Sequence, residues 1–574
     1  MCLHTRPQSY RQGDLVFPLS AQQQIVWLQH QTVPDSRAYY SSAVVNFHGR
    51  VDSAVLRKSV VDAVGRHDAM RLRICDLDSP VPHQEIVEQV SLDIPEYDLR
   101  GVEESEGRRA ELLHQQMHTE FDLQAAPLAR WMMVRLADDH WQLFMTEHHL
   151  VHDGRSTVAF LRDVLAQYAA EESGGSFLPV GAPSYQEYVA HITSDEYREA
   201  VAASVEWWTE NLKDAAFLVE FPELAEQRSE LFDYRGGQYR QSLPADLMAE
   251  VRTAAQRGGH TVFSAMLAVY AELCRRYSGQ HDLVIGMPMA NCPARFENTV
   301  GMMVNTVPVR LVIDPSAPCS EVGVDALAAI FEAVDHESAP VQDLVKALGL
   351  SGKGLDNPLF NVTFGMHDRP FPAVDVPGLT VDMQVALSTR SARFDLSVFV
   401  TPGAVLHGDE GEYGYELSWD YSTQRFDSDD VELIATAFET LLRAYAANPL
   451  EPIGSLALAE VAPSPRAAQT APEVRDAVEE AAPATPPRPA AGQEDRADSP
   501  WLVAFRDILE RDDIDEQTDF FQAGGYSLLV PKLLSRYASL SGWRPPTSLV
   551  FEFSSPSELE AASAARRPSA ADVR

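Results

Sequence analysis

The run WQLFMTEHHLVHDGRSTVAFLRDVLAQYAA, residues 141–170, carries the reading of the fold. Its first part, Trp141–Glu147, is short and mostly apolar, the pattern of a buried strand. From Ser156 the spacing changes. Val158, Leu161, Leu165 and Tyr168 recur at helical intervals and predict a helix. Between the two stands Glu147-His148-His149-Leu150-Val151-His152-Asp153-Gly154. A loop held by a strand at one end and a helix at the other can aim a side chain into a cleft. An imidazole is suited to moving a proton near neutral pH. Asp153 can hold the turn through backbone amides or an arginine, and Gly154 permits close approach and any backbone angle. The helix start offers N–H groups and a positive dipole end to developing negative charge. Other uses stay open: His148 as a core histidine, or His148, His149, His152 and Asp153 as metal ligands. Neighbours on a strand point to opposite faces, so four-way convergence is awkward and no metal is expected.

Outward from this stretch the alternation continues. TVFSAMLAVYAELCRRY (261–277) and VELIATAFETLLRAYA (431–446) read as helices, DLVIGMPM (282–289) and VNTVPVRLVI (304–313) as strands. The mixture predicts an α/β body over residues 14–458, with an N-terminal lobe of about 14–190 and a C-terminal lobe of about 200–458. Residues 459–497 are rich in Pro, Ala, Glu and Arg and poor in large apolar side chains, so an extended linker is expected. Residues 498–566 hold WLVAFRDILE, SLLVPKLLSRYASL and PSELEAASAA, a small all-α bundle close to the lower size limit for an independent core.

Of 574 residues, 45% are hydrophobic and 23% charged, a globular balance. The net charge of -38 argues against a nucleic-acid or anionic-membrane partner, which would need basic surface. Five cysteines are scattered without a C-x-x-C pair, so neither a disulfide framework nor a zinc site is expected. No signal peptide or membrane span is read, and the expected location is cytoplasmic.

The second chemical motif is Asp519-Phe520-Phe521-Gln522-Ala523-Gly524-Gly525-Tyr526-Ser527-Leu528-Leu529. A serine after two glycines and before a helix is exposed and placed to accept a group, although an N-cap serine reads the same way.

These motifs resemble known families. His148-His149-x-x-x-Asp153-Gly154 is similar to the HHxxxDG signature of nonribosomal-peptide condensation domains, within the chloramphenicol acetyltransferase-like superfamily. Ser20-Ala21-Gln22-Gln23-Gln24-Ile25-Val26-Trp27-Leu28, Arg66-His67-Asp68-Ala69-Met70-Arg71 and Tyr185-Gln186-Glu187-Tyr188 resemble its earlier elements. Val300-Gly301-Met302-Met303-Val304-Asn305-Thr306 with Arg310, Gln342-Asp343 and Asn357-Pro358-Leu359-Phe360 resemble its later ones, in the right order over about 14–458. The Ser527 motif resembles peptidyl carrier domains over about 498–566.

The resemblance implies a two-lobed chloramphenicol acetyltransferase-like fold followed by a four-helix carrier bundle. It implies amide bond formation in a tunnel between the lobes: an acceptor amine attacks an acyl thioester donated by an upstream acyl-carrier protein or acyl-CoA. His149 is expected to present the neutral amine, with His148, Asp153 and Gly154 shaping the loop. Ser527 is expected to carry phosphopantetheine, attached by a phosphopantetheinyl transferase. The linker of about 40 residues cannot hold an activating domain. Loading in trans by a separate adenylation enzyme is therefore expected. Free-standing acyl transfer, ester formation, epimerisation and a non-catalytic docking scaffold are the competing readings. The sequence departs from the families in four places. Cys292 follows Ala290-Asn291 where an arginine often braces the motif aspartate, and the nearest arginine is Arg295, so the partner of Asp153 stays open. His152 is an unusual filler, Ala523 replaces a leucine, and Pro531 falls in the first turns of a predicted helix.

Overall fold

A computed structural model describes residues 16–567 except 34, 78–81, 223, 225–231, 351–356, 368–373, 375, 377, 386, 408–413, 459–498, 510, 521–522, 524–529, 547–548 and 551–552. Strands of the body collect into two large sheets. The first has five strands in the order Leu379–Gln384, Tyr40–Gly49, His140–His148, Ala129–Ala137, Glu96–Asp98. Its neighbours are antiparallel except the last pair. The second has six: Asn305–Val312, Asp282–Met289, Val362–Met366, Leu396–Pro402, Tyr415–Ser422, Gly236–Leu243. Here Val362–Met366 runs parallel to both of its neighbours.

His140–His148 shows why residues 143–145 are apolar in succession rather than alternating. Leu143 and Met145 join one buried cluster with Phe160, Leu161 and Val164 of the helix Gly154–Glu172. Phe144 joins a second with Leu112 of the helix Ser105–His118. A strand covered on both faces carries apolar side chains on both. The helix then begins at Gly154 because Asp153, in an extended conformation (φ -141°, ψ 177°), caps it by accepting the Ser156 N–H.

The second sheet packs against helices Ala245–Gly258, Val262–Ser278, Cys319–Asp335 and Ser428–Ala447 around its own core. Val262–Ser278 is buried without interruption from Ser264 to Cys274, as a mostly apolar core helix must be, and its one buried acid, Glu272, pairs with Arg275 and Arg276.

The lobes are less separable along the chain than their sequence ranges suggest. Leu379–Gln384, far into the second half, pairs with Tyr40–Gly49 at the edge of the first sheet. Phe296, Val300, Met302 and Met303 pack into the core of the first lobe. A crossing strand and loop from the second half complete the first lobe, because their apolar side chains are buried there.

The C-terminal unit has described helices Pro500–Leu509, Val530–Ser541 and Pro556–Arg566, which coincide with its three apolar runs. Trp501, Phe505, Phe520, Leu533, Leu534, Tyr537 and Leu559 form its core. The 459–497 linker, Gly524, Gly525 and Ser527, and the side chain of Pro531, lie outside the described residues. Among the described residues no helix is long and apolar enough to cross a membrane.

Candidate active site

His148 closes its strand with a side chain 1% exposed. Its ring packs against His30, Tyr40 and Phe121 at centroid distances of 5.6, 5.2 and 6.0 Å. Its Nδ1 accepts the Leu150 N–H at 3.2 Å, which shapes the first turn of the loop. Burial holds its pKa well below the ordinary 6.5, so the ring is neutral.

His149 is only partly buried. Its backbone N–H donates to the Tyr39 carbonyl at 2.8 Å, and its ring meets Tyr39 edge-on at 6.1 Å. The Nδ1 lies 3.1 Å from the His152 carbonyl oxygen. A carbonyl can only accept, so Nδ1 carries the proton and Nε2 keeps its lone pair. Burial first, then the charges of Arg393 and His152, keep the pKa of His149 well below 6.5. The result is a neutral imidazole whose basic nitrogen is Nε2.

The partner of Asp153 is not an arginine. Its Oδ1 accepts from the Ser156 N–H at 2.9 Å and the Ser156 hydroxyl at 2.8 Å. Its Oδ2 accepts from the backbone N–H groups of Met303 at 3.0 Å and Val304 at 3.3 Å. The Ser156 Oγ in turn accepts the Gly301 N–H at 3.0 Å and lies 2.9 Å from the Gly301 carbonyl oxygen. Backbone donors from the second half of the chain thus supply what a guanidinium would have supplied. Arg295 instead lies 4.5 Å over the Phe296 ring.

Gly154 does not use its conformational freedom, for its φ is not positive. It uses its missing side chain. A Cβ there would stand 3.2 Å from Cε1 of His367, which follows the strand Val362–Met366. The N–H groups of the following helix are likewise not all open, since Asp153 takes that of Ser156.

His152 faces inward, 1% exposed. Its Nε2 lies 3.3 Å from the Thr157 hydroxyl and its Nδ1 lies 3.1 Å from Oε2 of Glu147, a residue itself 3% exposed. His148 and His152 therefore point to different surroundings, and the three histidines do not converge. Burial raises the pKa of Glu147.

The remaining sequence motifs surround this loop as braces. Gln23 Nε2 donates to the Leu150 carbonyl at 2.7 Å, and Ser20 caps the helix that carries Gln23. Asp68 accepts the N–H groups of Tyr185 and Gln186 at 2.9 and 3.2 Å. Tyr185 then donates to the Met302 carbonyl at 2.8 Å, and Tyr188 to that of Asn291 at 3.1 Å. Gly301 (φ +156°) lies so close to the Tyr185 ring that a Cβ would stand 2.0 Å from it. Sequence reasoning missed Ser156 and Glu147 as members of the site. The single carboxylate in a strand that is buried along most of its length was the available signal for Glu147. A cavity of about 700 Å³ opens elsewhere, among Ser20, Tyr197, Arg198, Asp343 and Lys346, and the histidine loop does not line it.

With this geometry in place, comparison with known proteins gives consistent matches. The condensation-domain profile matches residues 14–463. Phosphinothricin tripeptide synthetase PhsC of Streptomyces viridochromogenes is 30% identical over 75% of this chain and 39% of its own length. Malpinin synthetase of Mortierella alpina is 28% identical over 78% of this chain and 6% of its own length. The chain thus spans well under half the length of these relatives. Among solved structures, the starter condensation domain of rhizomide synthetase in complex with C8-CoA superposes with a TM-score of 0.68 at 20% identity, covering 77% of this chain and 98% of that one. The first condensation domain of the calcium-dependent antibiotic synthetase gives 0.67 at 20% identity, covering 78% and 100%. These two likenesses carry the fold: two α/β lobes.

Proposed function

This chain belongs to the condensation-domain family, whose members form amide bonds, and on that premise we propose that it joins an acyl thioester donor to an amine held near His149. The observation that carries the proposal is the bond between His149 Nδ1 and the His152 carbonyl, because it leaves Nε2 as an acceptor on a residue that is only partly buried. The acceptor nitrogen attacks the thioester carbonyl carbon, the C–S bond breaks, and the leaving sulfur takes up the proton that the amine loses. An α-amine has a pKa of about 8, so an Nε2 that orients the neutral amine and takes its proton is matched to the task. A thioester is already activated, and holding the two reactants in register contributes more than proton removal. His148, Asp153 and Gly154 act by holding the loop.

Ser527 is proposed as the phosphopantetheine site, on its motif alone. A pantetheine arm there would supply a thiol to hold one reactant, and a long Pro/Ala linker gives such an arm reach. A separate adenylation enzyme would load it, after a phosphopantetheinyl transferase had attached the arm. The donor would arrive on an upstream acyl-carrier protein. Acyl-CoA is the second reading, favoured by the C8-CoA complex of a starter condensation domain with the same fold.

Intact-protein mass spectrometry of pantetheinylated chain, with acyl-carrier or octanoyl-CoA donors and candidate loading enzymes, tests both parts. A mass gain on Ser527 that requires His149 supports the reading. Self-loading from ATP and amino acids would overturn loading in trans, and product formed equally well by His149→Ala would overturn the role of the loop.

A further inference from the structure

Glu147 and His152 are unexplained by anything described so far. Glu147 lies in the middle of the first sheet, flanked by Ser41 on one neighbouring strand and Ala129 on the other. Those two small side chains leave room for a larger one. The carboxyl group turns toward His152, with Oε2 3.1 Å from Nδ1. Apart from that contact, neither Glu147 Oε1 nor His152 Nδ1 has a hydrogen-bond partner among the described residues, and both side chains are more than nine-tenths buried. Met145, Leu150 and Val151, close to them in sequence, belong to one buried apolar cluster, while the carboxylate of Asp153 adds a like charge near Glu147.

Such a pair is a poor way to hold a loop. Replacing a buried ion pair with apolar residues of similar volume is often neutral or stabilising. What the pair supplies is direction. The His152 ring is tied to the strand through Glu147 and to the helix Gly154–Glu172 through Thr157, whose hydroxyl lies 3.3 Å from Nε2. The same residue offers its carbonyl to His149 Nδ1 at 3.1 Å, and the two rings stand 5.9 Å apart. A ring held at both nitrogens fixes where His152 sits in the loop, and with it the carbonyl that accepts the His149 proton.

We propose that Glu147 and His152 are positioning residues that hold His149 in the tautomer protonated on Nδ1, with Nε2 directed at the reacting amine. The 3.1 Å contact suits a proton on either partner: a carboxylate would accept from Nδ1–H, and a carboxylic acid would donate to Nδ1. The pair touches neither reactant and acts through the His152 carbonyl alone. This inference rests on the function assigned to His149, so its test includes a readout that needs no turnover.

Full-length chain carrying ¹⁵N-labelled histidine is compared as wild type, Glu147→Gln, Glu147→Leu and His152→Leu. Imidazole ¹⁵N shifts, with His149→Gln used to assign the resonance, report the tautomer. Wild type and Glu147→Gln should show His149 protonated on Nδ1, while the two leucine variants show a mixture of tautomers. Turnover should fall at least ~10-fold in kcat in the leucine variants with the acceptor KM little changed, and Glu147→Gln should restore most of it. Unchanged tautomer and kcat in a folded Glu147→Leu protein would overturn the proposal, as would a loss confined to KM. Should the leucine variants fail to fold, Glu147→Gln beside Glu147→Met decides it, because only the first keeps a polar atom facing Nδ1. If the tautomer shifts as expected while no variant and no wild type turns over, the function assigned to His149 fails and the positioning role stands.

Discussion

Asp153 Oδ2 accepts the backbone N–H of Met303 at 3.0 Å, across 150 residues of sequence. This single contact joins the cap of the helix beside His149 to the loop that enters the first lobe from the second half of the chain. With the Val304 N–H and both donors of Ser156, the carboxylate takes four hydrogen bonds while 2% exposed.

Asp153→Ala would leave the amides of Ser156, Met303 and Val304 buried without their acceptor. Each unsatisfied buried donor costs about 1–3 kcal/mol, so the substitution should destabilise the body by roughly 3 kcal/mol or more. Asp153→Asn should recover only part of this, because one end of the amide must present N–H to a donor. Calorimetry on the full chain should show a lower melting temperature for both, in that order, and turnover should fall in parallel. A fully stable Asp153→Asn would mean that the amides find water instead.

Much of this arrangement was legible in sequence and some was not, for physical reasons. The apolar run at 141–147 and the helical spacing from Val158 exposed the strand and the helix, since both periods are local. The partner of Asp153 was not legible, because backbone amides carry no sequence signature and the expected arginine was absent. The pairing of Leu379–Gln384 with Tyr40–Gly49 was equally hidden, as register between distant strands depends on tertiary contacts. Gln23 and Tyr185 were visible as motif letters, yet only their bonds to Leu150 and Met302 show them bracing the loop.

The charge of Arg393 should appear in the pH profile. Burial and this guanidinium both hold the pKa of His149 below 6.5, so the imidazole stays neutral as pH falls through that value. Activity that needs a neutral ring is then kept above the depressed pKa and lost below it. Arg393→Met removes one of the two main causes, which raises the pKa toward 6.5 and moves the acid limb of kcat/KM upward. Arg393→Lys should leave the limb near its wild-type position. A limb that does not move in Arg393→Met would show that the rate follows another group.

Gly154 separates two effects that oppose each other. Alanine there improves helix propensity by up to ~1 kcal/mol. Its Cβ would also press on His367 Cε1 from 3.2 Å, a gap that a shift of a few tenths of an ångström relieves. Gly154→Ala should therefore change the melting temperature little. Gly154→Val has no such escape and should displace the His367 ring, lowering turnover while the helix remains folded. Circular dichroism with a parallel rate measurement distinguishes these outcomes, and a fully active Gly154→Val would show that His367 is free to move aside.

The small C-terminal unit offers a test of its own core. Trp501 is completely buried, stacks on Tyr537 at 3.9 Å and donates from Nε1 to the Ser563 hydroxyl at 3.0 Å. Removing such a ring costs about 3–5 kcal/mol, while a core of this size supplies at most about 5. Trp501→Ala should unfold the unit and leave the body intact, so calorimetry would lose a small transition and keep the large one. On the proposed assignment of Ser527, a phosphopantetheinyl transferase should then fail to add mass to the chain, whereas Trp501→Phe, which keeps the stack but not the donor, should still be modified. Efficient modification of Trp501→Ala would show that attachment at Ser527 needs only the local peptide and not the folded helices.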